Sequence, residues 1–270
     1  MSGFFPLASG SKGNCLFLRS KQTRILIDAG IGVRRVQAEL AKLGESLDTI
    51  DALLITHEHG DHVRSLEAIA KRGDIPVFAN GDTAKAICEM MDQPPRFKIF
   101  STGESFEYGD LKIHPFSIQH DTLDPVAFTI EFNQIKLGIC ADLGFVSSLV
   151  KNHLQGCHYL YIESNHDPEM VYASPRPNVY KQRVLGRQGH LSNEACAELL
   201  KEIAHPELRR VYLAHLSSEC NRPELAYEIA KNALESVNCA CELFIAHQDR
   251  ASEALILEES SHQMQDAPVY

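Results

Sequence analysis

The sequence predicts an α/β fold: strand-rich, with helices interleaved between the strands. Three observations carry that expectation. Short apolar runs such as Ala52-Leu53-Leu54-Ile55, Ile135–Cys140 and Val211–Leu213 recur through both halves, separated by turns that hold glycine, asparagine or aspartate. Helical patterns with start and stop signals lie between these runs. The 270 residues are 44% hydrophobic and 23% charged, an ordinary globular balance with material for a sizeable core. No linker or shift in composition divides the chain. Residues 1–258 are therefore expected to form a single domain, and the polar residues 259–270 a disordered tail.

The elements follow in order. A turn of small residues, Ala8 to Asn14, precedes a hairpin made of Cys15–Leu18 and Arg24–Ile27. A helix is expected from Val33 to Leu43, stopped by Gly44. The apolar run ending at Ile55 reads as a buried strand, and Val63–Lys71 as a helix. Ile75–Ala79 is a short strand, after which a helix capped by Asp82 runs to Met91. Strands are expected at Phe97–Phe100, Ser105–Tyr108, Leu111–Ile118, Val126–Phe132 and Ile135–Cys140. The second half gives a helix over Leu143–Asn152, a strand over Tyr159–Ile162 and a helix over Asn193–Ile203 capped by Ser192. The strand Val211–Leu213, a helix opened by Pro223 and the strand Cys241–Ile245 complete it, while Val171–His190 reads as a loop.

Charge and cysteine usage bound the function. A net charge of −10 excludes a generally basic nucleic-acid coat, so a nucleic-acid substrate would need a local basic patch. No apolar run is long enough to span a membrane, and the N-terminal stretch lacks a signal-peptide pattern. The eight cysteines form no zinc-type CxxC pair and read as buried free thiols. A cytoplasmic protein without membrane attachment is the expectation.

The chemistry is concentrated in Thr56-His57-Glu58-His59-Gly60-Asp61-His62, where a buried strand ends and the chain turns. His57 and His59 can converge on one cation, and Asp61 and His62 can hold a second across the turn. Imidazole and carboxylate donors suit zinc, manganese or iron, and the absence of cysteine disfavours a closed structural zinc knuckle. One such motif holds only part of two coordination shells. His120, Asp142 and His215 each end an apolar run and are the candidates to complete them.

HxHxDH after a hydrophobic strand is the signature of the metallo-β-lactamase superfamily, which this stretch resembles at every defined position. The resemblance implies a four-layer αβ/βα sandwich with metals at the strand ends. It also implies one cation on His57, His59 and His120, a second on Asp61, His62 and His215, and Asp142 between them. Two such cations would generate a bridging hydroxide near neutral pH, with Asp61 orienting the water. LASGSKGNC (7–15), ESNHD (163–167), GHLSN (189–193) and AHLSSECNRPE (214–224) further resemble the bacterial YycJ/WalJ-type branch. That branch implies a metal-dependent nuclease with exonuclease action, DNA more than RNA.

Several residues support a phosphodiester substrate. Arg176, Lys181, Arg183 and Arg187 form a basic run without acidic residues, leading into Ser192 and Asn193 at a helix start, a natural phosphate site. Tyr172 and Tyr180 could stack on bases. His190 could protonate the leaving oxygen. Asn165 and His166 could orient ligands, and Asn14 and Asp28 serve either as turn residues or as supports of the metal ligands. A thioesterase- or lactamase-like hydrolase would use the same metals on a carbonyl without needing the basic run. A non-catalytic regulator is expected to have lost ligands, and no candidate ligand is missing.

Overall fold

A computed structural model describes residues 2–257, and the expected tail of residues 259–270 lies outside them. Two seven-stranded sheets face each other. The first has the order Leu255–Leu257, Ser2–Ala8, Cys15–Arg19, Arg24–Ile27, Ala52–Leu54, Val77–Ala79, Phe97–Ile99. The second runs Glu242–Ile245, Arg210–Ala214, Tyr159–Glu163, Ile135–Cys140, Val126–Phe132, Leu111–Ser117, Phe106–Tyr108.

The apolar runs are continuous because these strands are covered on both faces. Ile25 and Ile27 enter the core between the sheets, whereas Leu26 enters the core beneath the outer helices. Tyr159 and Tyr161 likewise point between the sheets, and Leu160 and Ile162 outward. Val36 and Leu40 of helix Val33–Lys42, with Ile69 of helix Leu66–Gly73 and Ile87 of helix Gly81–Met90, cover the first sheet. Val150, Leu154, Leu200 and Ala230 cover the second. The layers are thus helix, sheet, sheet, helix.

Each sheet joins an antiparallel part to a parallel part. In the first, Arg24–Ile27 pairs in parallel with Ala52–Leu54; in the second, Ile135–Cys140, Tyr159–Glu163 and Arg210–Ala214 are parallel. Parallel strands send their carboxyl ends to one edge, where ligands of open α/β sheets bind. The amide of Val126 donates to the carbonyl of Thr56 at 3.1 Å, tying the two sheets together at that edge.

Several expected elements differ in detail. Ser2–Ala8 and Leu255–Leu257 are strands that pair with each other, and neither was expected. The helix expected over Val63–Lys71 is two, Gly60–Val63 and Leu66–Gly73, because the amide of Ser65 donates to Ala29 instead of continuing the helix. Asn80, not Asp82, caps the helix Gly81–Met90, accepting from the Thr83 amide. The helix expected from Leu143 begins only at Ser148, since the Leu143 amide donates to Glu163 and that of Gly144 to Gln119. The expected loop at 171–190 holds the helix Asn178–Leu185 and the end of Pro168–Ala173. Among the described residues, no helix is long and apolar enough to cross a membrane.

Candidate metal centre

Sharp turns at the strand ends build the site. Asp28 directly follows Ile27, Asp142 follows Cys140 by two residues, and His215 directly follows Ala214. Their φ angles of 62°, 55° and 54° lie in the left-handed region, which non-glycine residues adopt at a cost. The strain turns each side chain over the edge of its sheet. After Ala52–Leu54, the four-residue helix Gly60–Val63 delivers Asp61 and His62. It packs so closely on the turn after Arg24–Ile27 that a Cβ added to Gly30 would lie 1.6 Å from the Asp61 carbonyl oxygen.

These turns bring the candidate ligands into overlapping clusters. One nitrogen each from His57, His59 and His120 lie within 4.8 Å of one another, as do donor atoms of Asp61, His62 and His215. Asp142 stands between the trios, with Oδ2 2.8 Å from His62 Nε2, and Oδ1 3.2 Å from His215 Nδ1 and 3.9 Å from His120 Nε2. All seven residues that the motif and the strand ends nominated meet in one place.

Most of the imidazoles are oriented from behind. His62 Nδ1 lies 2.7 Å from Asp28 Oδ2, and His120 Nδ1 donates to the carbonyl of Gly189 at 3.0 Å. His215 Nδ1 lies 3.0 Å from Glu163 Oε1. His57 Nδ1 lies 3.0 Å from the Thr56 hydroxyl, which itself donates to Asp28. Each such contact reserves Nε2 for the centre, the arrangement in which histidine binds metals. His57 Nε2 and His215 Nε2 are buried without a hydrogen-bond partner. Buried polar atoms left unpaired are costly, and a divalent cation satisfies both. This donor set is that of a divalent-metal site.

Electrostatics point the same way. Burial holds the His57 imidazole well below its usual range. Burial alone would raise the Asp142 carboxyl, but His215 and His62 outweigh it and hold it well below the carboxylate range. Glu163 is likewise held at about 2 by His190 and His215 against its own burial. Burial would depress His215, but Asp142, Asp61 and Glu163 carry it to about 10. The carboxylates of Asp142 and Glu163 thus stay ionised, balanced by protonated histidines such as His215.

A cavity of about 240 Å³ opens above these donors. His59, Asp61, His120, Asp142 and His215 form its floor, and Asn165, Arg183 and His190 line it as well. His190 Nδ1 lies 2.8 Å from Glu163 Oε1, and Asn165 Nδ2 donates to the carbonyl of His215 at 2.7 Å. Asn14 Nδ2 lies 2.9 Å from His62 Nε2 and 3.4 Å from Asp61 Oδ2.

Other expected site residues do not reach the cavity. Of the basic run only Arg183 lines it. Arg176 pairs with Glu219, Lys181 donates to the carbonyl of Tyr172, and Arg187 lies 4.0 Å over the ring of Phe145. Ser192 is occupied as a helix cap for the Ala195 amide. Asn193 is 1% exposed, its side chain bonded to Ser164 and Asn221. His166 is buried against Asn165 and does not line the cavity.

Sequence reasoning missed Glu163, Thr56 and Ser9. Glu163 was legible, since it ends the run Tyr159–Ile162 as Asp142 ends Ile135–Cys140. Ser9 accepts from the amide of His215 at 2.8 Å and from the hydroxyl of Tyr161 at 2.6 Å, a contact between residues far apart in the chain.

Residues 23–216 match the model of the β-lactamase superfamily domain. The chain is 34% identical to an exodeoxyribonuclease YycJ of Bacillus anthracis, over 86% of this chain and 89% of that protein. It is 32% identical to the exodeoxyribonuclease WalJ of Streptococcus pneumoniae, over 84% and 86% respectively. Zinc-bound PqqB from Methylobacterium extorquens shares the fold, with a TM-score of 0.71 at 16% identity over 95% of this chain and all of that one.

Proposed function

The chain belongs to the metallo-β-lactamase superfamily, among the relatives of the YycJ and WalJ proteins, and from that premise we propose that it is a metal-dependent phosphodiesterase, a DNA exonuclease. The observation that carries this reading is the pair of ligand trios, overlapping through Asp142, at the floor of a cavity whose wall holds both Arg183 and His190. In this reading His57, His59 and His120 hold one divalent cation, Asp61, His62 and His215 hold another, and Asp142 is shared. Zinc and manganese both accept that donor set. When bound, the cations supply a water of lowered pKa and neutralise the charge that develops on the phosphate oxygens.

The protein's own groups do the rest. Asp61 lines the cavity and orients the attacking water. Arg183 pairs with the phosphate, as the one arginine of the basic run with access to it. His190 keeps Nδ1 on Glu163, so Nε2 is the atom from which a proton passes to the leaving oxygen. Glu163 holds His190 and His215 from one oxygen and so fixes the proton donor relative to a ligand. Asn14, Asp28 and Asn165 hold the ligands in place. A cytoplasmic location belongs to the same reading, and a nucleic-acid substrate supports it.

The test uses end-labelled single-stranded and duplex DNA and RNA with purified protein in manganese, zinc or chelator, and Asp61→Ala as the control. Metal-dependent cleavage of DNA that is lost in the variant is the expected result, and the product ladder gives the polarity. Equal cleavage by wild type and variant, or no cleavage of any nucleic acid by metal-loaded protein, would overturn the reading. Turnover of thioesters instead would move the protein to carbonyl chemistry.

A further inference from the structure

The helix Asn178–Leu185 gives the cavity a wall unlike its floor. Tyr180, Arg183 and Val184 line the cavity from this helix, and their spacing puts them on one face. Val179, on the opposite side, is 77% exposed. The wall is held at both ends by side-chain contacts. The Arg176 guanidinium lies 5.4 Å from the Tyr180 ring centroid and is itself paired with Glu219. The ring packs against the buried cluster of Val171, Val184 and Cys220. Arg183 Nε donates to Asp121 Oδ2 at 2.5 Å, and the other oxygen of Asp121 lies 3.4 Å from His120 Nε2 at the metal floor.

An aromatic ring and a valine above a floor of imidazoles and carboxylates make a cavity with one apolar side. One arginine stands between that side and the metal ligands. The volume, about 240 Å³, leaves room above the ligands for a planar heterocycle. A base inside a duplex offers no free face to such a wall, and a terminal pair would bring its partner base into the cavity with it, whereas an unpaired base stacks alone on an aromatic ring.

We propose that Tyr180 is the base-binding residue of this site, stacking on a single unpaired nucleobase while Arg183 pairs with the adjoining phosphate. The strand end therefore enters with its terminal base out of the duplex. This rests on the phosphodiesterase reading above and adds to it which part of the nucleotide the protein grips.

Binding separates the two. Calorimetric titration of the protein as purified compares thymidine 5′-monophosphate with 2-deoxyribose 5-phosphate, which lacks only the base. Wild type is expected to bind the nucleotide about tenfold more tightly, in keeping with the worth of one base–aromatic stack. Tyr180→Leu keeps an apolar side chain against Val171 and Val184 but removes the ring face, and Tyr180→Ala removes both; the preference should vanish in each. Tyr180→Phe should keep it, as should Tyr172→Ala, since Tyr172 is 67% exposed and does not line the cavity. On duplex DNA, wild type should cut ends with a mispaired terminal base several-fold faster than ends closed by a G·C pair.

Equal binding of both ligands by wild type overturns the base seat and leaves the phosphodiester reading standing. Binding of neither overturns both. A preference that survives in Tyr180→Ala and Tyr180→Leu overturns the assignment to Tyr180, and equal cutting of mispaired and G·C-closed ends overturns the unpaired entry.

Discussion

Asp28 Oδ2 lies 2.7 Å from His62 Nδ1, and this contact fixes which nitrogen of His62 faces the candidate metal centre. The same carboxylate accepts from the amide of Thr56 at 2.9 Å and from its hydroxyl, so it also shapes the start of the histidine motif. Asn tolerates the left-handed φ of 62° at this position but offers only one acceptor oxygen. Asp28→Asn is therefore expected to fold and to lose metal affinity by roughly 10–100-fold, the usual cost of removing a partner behind a ligand. Competition titration with a chromophoric chelator measures this. An unchanged affinity would mean that Asp28 is a turn residue only.

Gly30 sets the distance between two pieces of the site. An added Cβ would meet the Asp61 carbonyl oxygen at 1.6 Å and the Asn14 amide nitrogen at 2.7 Å, both of them backbone atoms that no side-chain rotation can move. Those atoms belong to a ladder in which Asn14 donates to Asp61 and Gly30 donates to Asn14, each at 2.8 Å. Gly30→Ala should cost roughly 3 kcal/mol in urea unfolding and lower the bound-metal count in the folded fraction. Gly81→Ala is the matched control, because nothing lies within 4 Å of its added Cβ at the start of a helix. It should be neutral or stabilise by up to about 1 kcal/mol. Equal effects of the two changes would contradict the close approach.

Arg183 and Arg187 are four residues apart, yet only Arg183 lines the cavity; Arg187 covers Phe145 outside it. Arg183→Gln is expected to lower kcat/KM on an oligonucleotide by about 10–100-fold and to flatten its dependence on salt. Arg187→Gln should stay within about threefold of wild type. Steady-state kinetics at two salt concentrations checks both. If the two variants fell together, the whole basic run would be binding the strand, as its sequence suggested.

How far the site could be read in advance follows from how its residues are placed. His57 to His62 are contiguous, and His120, Asp142 and His215 each follow an apolar run, so a rule about strand ends finds all of them. Glu163 obeys the same rule, but a glutamate at the end of a strand equally suits an exposed turn. The basic run looked uniform because a sequence read as a loop has no inside or outside. Once residues 178–185 form a helix, its 3.6-residue period sends Arg183 to the cavity and Val179 to solvent. The strand Ser2–Ala8 contains Pro6 and no alternation of polar and apolar residues, and its burial on both faces explains why no period was visible. Ser9 supporting His215, and Asp121 holding Arg183, are long-range pairs that one sequence does not encode locally.

Away from the candidate metal centre, Glu45 offers a test of stability against pH. Its side chain is nearly buried, and its oxygens accept from Arg19 at 2.8 Å, Arg24 at 3.1 Å and the Thr49 hydroxyl at 2.8 Å. Burial alone would raise the carboxyl, but Arg19, Thr49 and Arg24 outweigh it and hold it below its ordinary value of 4.5. A carboxyl depressed in the folded state binds its proton more readily when unfolded. Its contribution is therefore fully present above about pH 4.5 and is lost as pH falls through the lower folded value. Glu45→Gln should cost about 1–3 kcal/mol near pH 7, the worth of charge-assisted hydrogen bonds at a nearly buried site. The gap between wild type and variant should hold constant down to about pH 5 and then close as the solution becomes more acidic. Urea unfolding at a series of pH values reads it directly. A gap that persisted unchanged to pH 3 would show that Glu45 acts through its shape and neutral hydrogen bonds, and not through its charge.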